Sequence, residues 1–382
     1  MPDTKDGRRN RRAADYNPTK SDYALTEAAA ELWSQIFERA AARPDSALYD
    51  DSADQELADN ERRRQAMKSA GWTDKEIEVF ARAHEETLRT DAPTSPGVAP
   101  WLEGQLHAIA TPIKEAMYER GYRDQKKVLL GIDPTAGVSA SMTNVMMTDE
   151  GIVSVSAFLF RWCGLVARAY LRTLHLDVHA WSDGAGDPDA DLVRLYAWPD
   201  LVAYWQRIFF SFAATGTHNK VPYLPSTRRE VWHFEQIAWA MEFFVVGHEF
   251  GHHALGHRTV GEDQHLQEFQ ADSFSLYISE MLHRQPFRHL DNPYVRTGAG
   301  AHIMLRSLKC LAIAEAAMGK PHPSRDTHPP VTARVDKIVA RHALQPARHA
   351  MDLHWNATVA RIMNTVDACL SEFIAGLDID RA

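Results

Sequence analysis

The sequence predicts an α+β chain that is mostly α. Three observations carry this. Residues 228–256 form an apolar stretch entered through the capping-box pattern Thr227-Arg228-Arg229-Glu230 and stopped by Gly256, which reads as one long amphipathic helix. A second helical stretch starts near Asp263 and carries Glu268-Phe269-Gln270-Ala271-Asp272. Two β-like runs, 142–148 and 152–156, are joined by Asp149-Glu150-Gly151 and suit a hairpin in a small sheet.

The elements follow in order. Residues 1–22 are polar with Arg8, Arg9, Arg11 and Arg12 clustered, as in a disordered basic tail or a docking arm for an acidic partner. Helical patterns at 25–42, 55–70, 73–90 and 101–120 make residues 23–125 a helical N-terminal layer. Thr73 with Glu76 three residues on opens the third of these. Residues 90–100 hold three prolines and read as a loop. A short strand is expected at 127–132, then the hairpin, then an apolar helix at 157–174. Residues 181–191 are rich in Gly and Asp and read as a solvated loop. Asp183, Asp187, Asp189 and Asp191 lack the spacing of a calcium loop. Residues 199–214 read as a helix whose neighbourhood, Trp198, Trp205, Phe209 and Phe210, is expected in the core. Further helices are expected at 298–319, 330–344 and 352–377, with a Pro-rich loop at 320–330. The main domain then spans 126–345, and 346–382 is a C-terminal helix packed on it.

Composition excludes several classes. Apolar content of 45% and charged content of 24% are those of a globular protein. A net charge of −9 argues against nucleic acid as the main partner. Three scattered cysteines, Cys163, Cys310 and Cys369, form no C-x-x-C pair and suggest reduced thiols in the cytoplasm. No apolar run approaches the ~20 residues of a membrane helix, and the opening residues lack a signal-peptide core.

The chemistry concentrates in His248-Glu249-Phe250-Gly251-His252, an H-E-x-x-H sequence. On a helix, His248 and His252 lie one turn apart on one face and can chelate one metal ion. Glu249 beside them can reach a metal-bound water. Two histidines and a glutamate on a Phe- and Val-rich helix are costly to bury without a compensating partner. Catalytic zinc takes three protein ligands and leaves a fourth position open. In the pattern with a third histidine, H-E-x-x-H-x-x-G-x-x-H, the Gly position is Leu255 and the last His position is Arg258, so a carboxylate is the other option. Glu268 on the next helix can face back to the metal, and Asp272 one turn on can accept a hydrogen bond from a ligand imidazole. This gives one Zn²⁺ per chain, held by His248, His252 and Glu268. His253 and His257 read as flanking residues.

H-E-x-x-H followed by E-x-x-A-D resembles the glutamate-ligand zinc peptidases, in particular the family of the CAAX prenyl endopeptidases and the heat-shock membrane proteases. Asp326-Thr327-His328-Pro329-Pro330 with Arg334-Val335 resembles that family's T/S-H-P-P-x-x-x-R-[IV] segment, and Asn144-Val145 to Val155 resembles its hairpin. The resemblance implies a zincin-like core and a zinc-dependent endopeptidase acting on a protein or peptide. It implies that Glu249 is the general base and that His328, oriented by Arg334, stabilises the oxyanion. It also implies that an edge at Val145 and Met146 pairs with extended substrate. An edge offers N–H and C=O groups to a peptide in any case, though the hairpin could equally just cover the core. H-E-F-G-H-x-x-x-G-H with E-F-Q-A-D is similar as well to proteases that cleave phage repressors and to phage-exclusion proteases, which would make the chain a regulatory or defence protease with one target. Two non-catalytic alternatives are an inactive zinc-binding scaffold and a structural zinc site closed by His257.

Overall fold

The computed structural model describes residues 27–42, 61, 64–87, 100–122, 127–146, 148–176, 187–222, 224, 226–257, 263–283, 292–320, 328–343 and 349–379. The basic tail, the loop at 90–99 and most of the 320–330 loop lie outside these residues, as does much of the helix expected at 55–70.

The N-terminal layer contributes α1 (Glu27–Ala41), α2 (Asp74–Thr87) and α3 (Pro100–Glu119). Thr73 and Glu76 cap α2 reciprocally: Thr73 N–H donates to the Glu76 carboxylate at 3.0 Å, and Glu76 N–H donates to Thr73 Oγ1 at 3.3 Å. The layer is not a separate body. One continuous apolar core runs from Trp33 on α1 through Leu106 and Ile109 on α3 to Leu370 near the C-terminus. The Trp33 ring lies so close to Gly131 that a Cβ there would meet it at 2.3 Å.

Three strands form the sheet: β1 (Val128–Asp133), β2 (Ala140–Asn144) and β3 (Gly151–Ser156), in the order β1-β3-β2. β3 is central and wholly buried, parallel to β1 and antiparallel to β2. The hairpin is present, but its first strand ends at Asn144, not at residue 148. Val145 N–H donates to Glu150 O at 3.0 Å and Thr148 N–H to Val145 O, so Val145 already belongs to the connecting turn.

Ser156 ends the sheet and caps α4 (Ala157–His175), its Oγ accepting from Phe158 N–H. The acidic segment is partly helical. Asp187 caps α5 (Pro188–Tyr196), and Asp191 is 1% exposed. Arg361 donates to Asp191 from Nε at 2.5 Å and Nη2 at 2.8 Å, and Arg194 adds a third bond at 2.7 Å. The carboxylate expected in a solvated loop therefore ties α5 to the C-terminal helix. In α6 (Pro199–Thr215), Trp205 and Phe209 stack in the core, whereas Trp198 just before it is 55% exposed.

The helix that carries the motif, α7 (Arg228–Leu255), begins with the expected Thr227–Glu230 capping box. It is not amphipathic along its second half. Ile237, Ala240, Met241, Phe243, Phe244, Val246 and Phe250 are all buried, because α3, α4, α8 (Gln264–His283) and α10 (Ala299–Ala317) pack around it. The short α9 (Pro293–Arg296), α11 (Val331–Ala343) and α12 (His349–Ile379) complete the fold. Glycine makes two of the crossings on α7 possible. A Cβ at Gly251 would stand 3.0 Å from Ala271 Cα and 3.2 Å from its carbonyl oxygen on α8. A Cβ at Gly247 would stand 2.6 Å from Ser275 Oγ. Two to three turns earlier on α7, a Cβ at Gly300 of α10 would meet Ala240 at 2.5 Å.

Gly251→Ala forces α7 and α8 apart against backbone atoms. Its unfolding free energy should fall by about 1–3 kcal/mol, the usual cost of overpacking. Chemical denaturation measures this; an unchanged midpoint would mean that the crossing gives way freely.

Candidate metal centre

His248 and His252 occupy successive turns of α7, and Glu268 projects from α8 across the glycine crossing. His248 Nε2 lies 3.1 Å from His252 Nε2. Glu268 Oε2 lies 3.3 Å from His248 Nε2, and its Oε1 lies 3.4 Å from His252 Nε2. One donor atom from each of the three falls within 4.8 Å of the others, and among the described residues no other such group could hold a metal ion. The donors fit a cation. Glu268 Oε2 is buried and receives no hydrogen bond among the described residues, yet it sits within 3.7 Å of nitrogens from His248, His328 and Arg334.

Asp272 stands one turn beyond Glu268 and is 3% exposed. His248 Nδ1–H donates to Asp272 Oδ1 at 2.9 Å, which turns the Nε2 lone pair toward the centre. Burial alone would depress the His248 ring; the bond to Asp272 and the nearby Glu268 carboxylate outweigh this and raise it to about 10. A metal ion would take the place of that proton. Burial would also raise the Asp272 carboxyl, but the Arg334 guanidinium beside it holds it below its ordinary value.

Arg334 reaches the site from α11, and its partner differs from the one expected. It donates from Nε to Asp272 Oδ2 at 2.8 Å and from Nη2 to Asp272 Oδ1 at 2.6 Å, a bidentate clamp, with Nη1 3.7 Å from Glu268. It therefore orders the carboxylates, not His328. His328 itself does reach the site, with Nε2 3.4 Å from Glu268 Oε2. Burial lowers the His328 ring even against the attraction of Glu268, so the neutral form is favoured.

Glu249 is 7% exposed on the same turn as the ligands. Burial raises its carboxyl, opposed by the charges of His248 and His252. That is the direction a carboxylate needs to hold a proton transiently.

Val145 and Met146 do not form a strand edge. Val145 is buried and its N–H is already bonded in the turn, while Met146 is 84% exposed on the turn surface. Among the described residues β2 pairs on one side only, with β3. Val145 donates to Glu150, and Ser156 donates to Ser139, so the odd-numbered residues of this strand face β3. By the alternation of an antiparallel ladder, Ala140, Met142 and Asn144 direct their backbone groups outward.

Nine residues past His248 is a poor helical phase, so the sequence reads His257 as a flanking residue. The structure brings it back. Gly256 adopts φ 68°, Gly256 N–H donates to His253 O at 3.1 Å, and His257 N–H donates to His252 O at 3.0 Å. This Schellman turn swings His257 onto its own helix end. Its Nδ1 lies 2.9 Å from His252 Nδ1 and its Nε2 lies 3.0 Å from Gln270 Oε1. It thus touches the ring nitrogen of His252 that faces away from the centre and is not a further ligand.

No family model matches the chain, and neither a curated protein nor a solved structure does. Among the described residues no helix is long and apolar enough to cross a membrane.

Glu268→Ala should lose the bound metal, and Asp272→Ala should weaken binding by ~10–100-fold. Elemental analysis after dialysis against a weak chelator measures both. Full metal content in Glu268→Ala would identify another third ligand.

Proposed function

We propose that the chain is a zinc-dependent endopeptidase with a zincin-like core, acting on a protein or peptide. The observation that carries this reading is the convergence of His248, His252 and Glu268 with the unmodified acid Glu249 buried beside them. Two imidazoles and one carboxylate are a ligand set suited to catalytic zinc, and they leave a position for water. Bound zinc would supply Lewis acidity to a water and to the scissile carbonyl. Glu249 takes the water proton and returns it to the leaving amine. Asp272, held by Arg334, keeps His248 in the ligating tautomer. His328, with its side chain 44% exposed beside Glu268, donates its N–H to the developing oxyanion. Substrate in extended form would add to the outward groups of Ala140, Met142 and Asn144. The three buried free thiols are compatible with a reducing compartment, in line with a cytoplasmic placement.

Glu249→Gln should keep its zinc and fold and lose cleavage, since an amide cannot take the proton. Comparison of the proteomes of cells expressing wild type and Glu249→Gln should reveal fragments made only by wild type. Identical fragment patterns would reject the peptidase reading.

His328→Ala should retain stoichiometric zinc and a near-normal KM while kcat falls by about 10²–10³. Steady-state kinetics on the substrate so identified measure this. An unchanged kcat would return His328 to a helix-entry role at α11.

A further inference from the structure

The two imidazoles of the centre are supported by different chemistry. His248 Nδ1 is bonded to a carboxylate, Asp272. His252 Nδ1 is bonded to a second imidazole, His257, which is itself bonded to the side chain of Gln270. The three groups come from α7, its C-terminal turn and α8. Asn144 of β2 fixes the turn further, its Nδ2 donating to His257 O at 3.1 Å.

The ligand role proposed for His252 sets the direction of this chain: Nε2 stays free for the metal, so the proton sits on Nδ1. An amide oxygen only accepts, so Gln270 Oε1 requires the proton of His257 on Nε2. A neutral His257 then has a lone pair on Nδ1. That lone pair accepts from His252 Nδ1–H, which leaves His252 Nε2 unprotonated and facing His248 and Glu268. Turning the Gln270 amide over would reverse every step. His252 would then carry its proton on Nε2, where it blocks a metal.

We infer that His257 and Gln270 form a neutral relay that fixes the tautomer of His252 and makes it the weaker of the two imidazole ligands. This rests on the metal centre proposed above. A carboxylate acceptor raises the basicity of a ligand imidazole, and a neutral imidazole does so less. His257 is a positioning residue; it acts only through His252.

The test is zinc competition against a chromophoric chelator, with wild type, His257→Leu, His257→Asn, Gln270→Glu and His252→Ala compared. His257→Leu should weaken zinc by ~10–100-fold. His257→Asn should recover most of the loss, because its Oδ1 can accept from His252 Nδ1–H in place of the ring nitrogen. Gln270→Glu should tighten binding, because the relay then ends on an anion. Wild-type affinity in His257→Leu, with zinc lost in His252→Ala, would overturn the relay and leave the metal centre standing. Absence of zinc binding in wild type would overturn both. A readout without metal guards against misfolding: long-range ¹H–¹⁵N spectra of metal-free wild type should show His252 protonated on Nδ1. The Nε2-protonated form there would overturn the relay directly.

Discussion

The site depends on how closely α7 and α8 cross. Helices packed through ordinary side chains keep their axes 8–10 Å apart. Here Gly251 presses on the backbone of Ala271, and Gly247 presses on Ser275. These contacts place Glu268, Gln270 and Asp272, all on α8, within reach of the two histidines and of the turn that follows them. Ser275 Oγ also donates to Phe244 O on α7 at 2.9 Å, which fixes the two helices along their length as well as in distance. The glycine inside the motif is therefore structural in its own right: a side chain there would move the third ligand away from the first two.

Close approach brings a cost, because it gathers ionisable groups where water is scarce. His248, Glu249, Glu268, Asp272 and Arg334 are all buried. A buried charge needs a partner with good geometry and further hydrogen bonds. Arg334 supplies one positive charge to Asp272 bidentately and stands near Glu268. It cannot complete both carboxylates, and the remaining oxygen of Glu268 receives no hydrogen bond among the described residues. His248, His252 and Glu268 could hold a metal ion, and a cation there would complete that carboxylate.

What was legible in the sequence was mostly local. The capping box at Thr227 and the period of the apolar residues give α7; the spacing of Glu268 and Asp272 puts both on one face of α8. These depend on contacts three or four residues apart. Several misreadings involve partners distant in sequence or a change of backbone direction. The resemblance pairs Arg334 with the nearby His328, yet its partner Asp272 lies 62 residues earlier. Asp191 looked solvated because Arg361, its partner from α12, lies 170 residues on. His257 failed a helical-phase criterion that Gly256 had already cancelled by leaving the helix. That last signal was partly present: Gly256 marks a helix end, where a Schellman turn can fold the next residue back. The end of β2 at Asn144 was not present as a signal, since Val145 and Met146 are as β-like as the residues before them.

Burial also gives the site a direction. The side chains of His248 and Asp272 are 7% and 5% exposed, that of His252 is 17%, and that of His328 is 44%. The closed side is where Arg334 and Asp272 fix the first histidine. The open side runs over His252 toward His328. β2 meets α7 at its C-terminal turn, where Asn144 holds His257, next to His252. In the proposed reading, an extended peptide paired with the outward groups of β2 would run past the more exposed ligand and bring its carbonyl beside His328. The rigid, charge-paired half of the centre would then hold the metal, and the half supported by neutral groups would face the substrate. Such a division is physically sensible: a ligand exposed to substrate must tolerate changes in its surroundings, whereas a buried ion-paired ligand cannot move without stranding a charge.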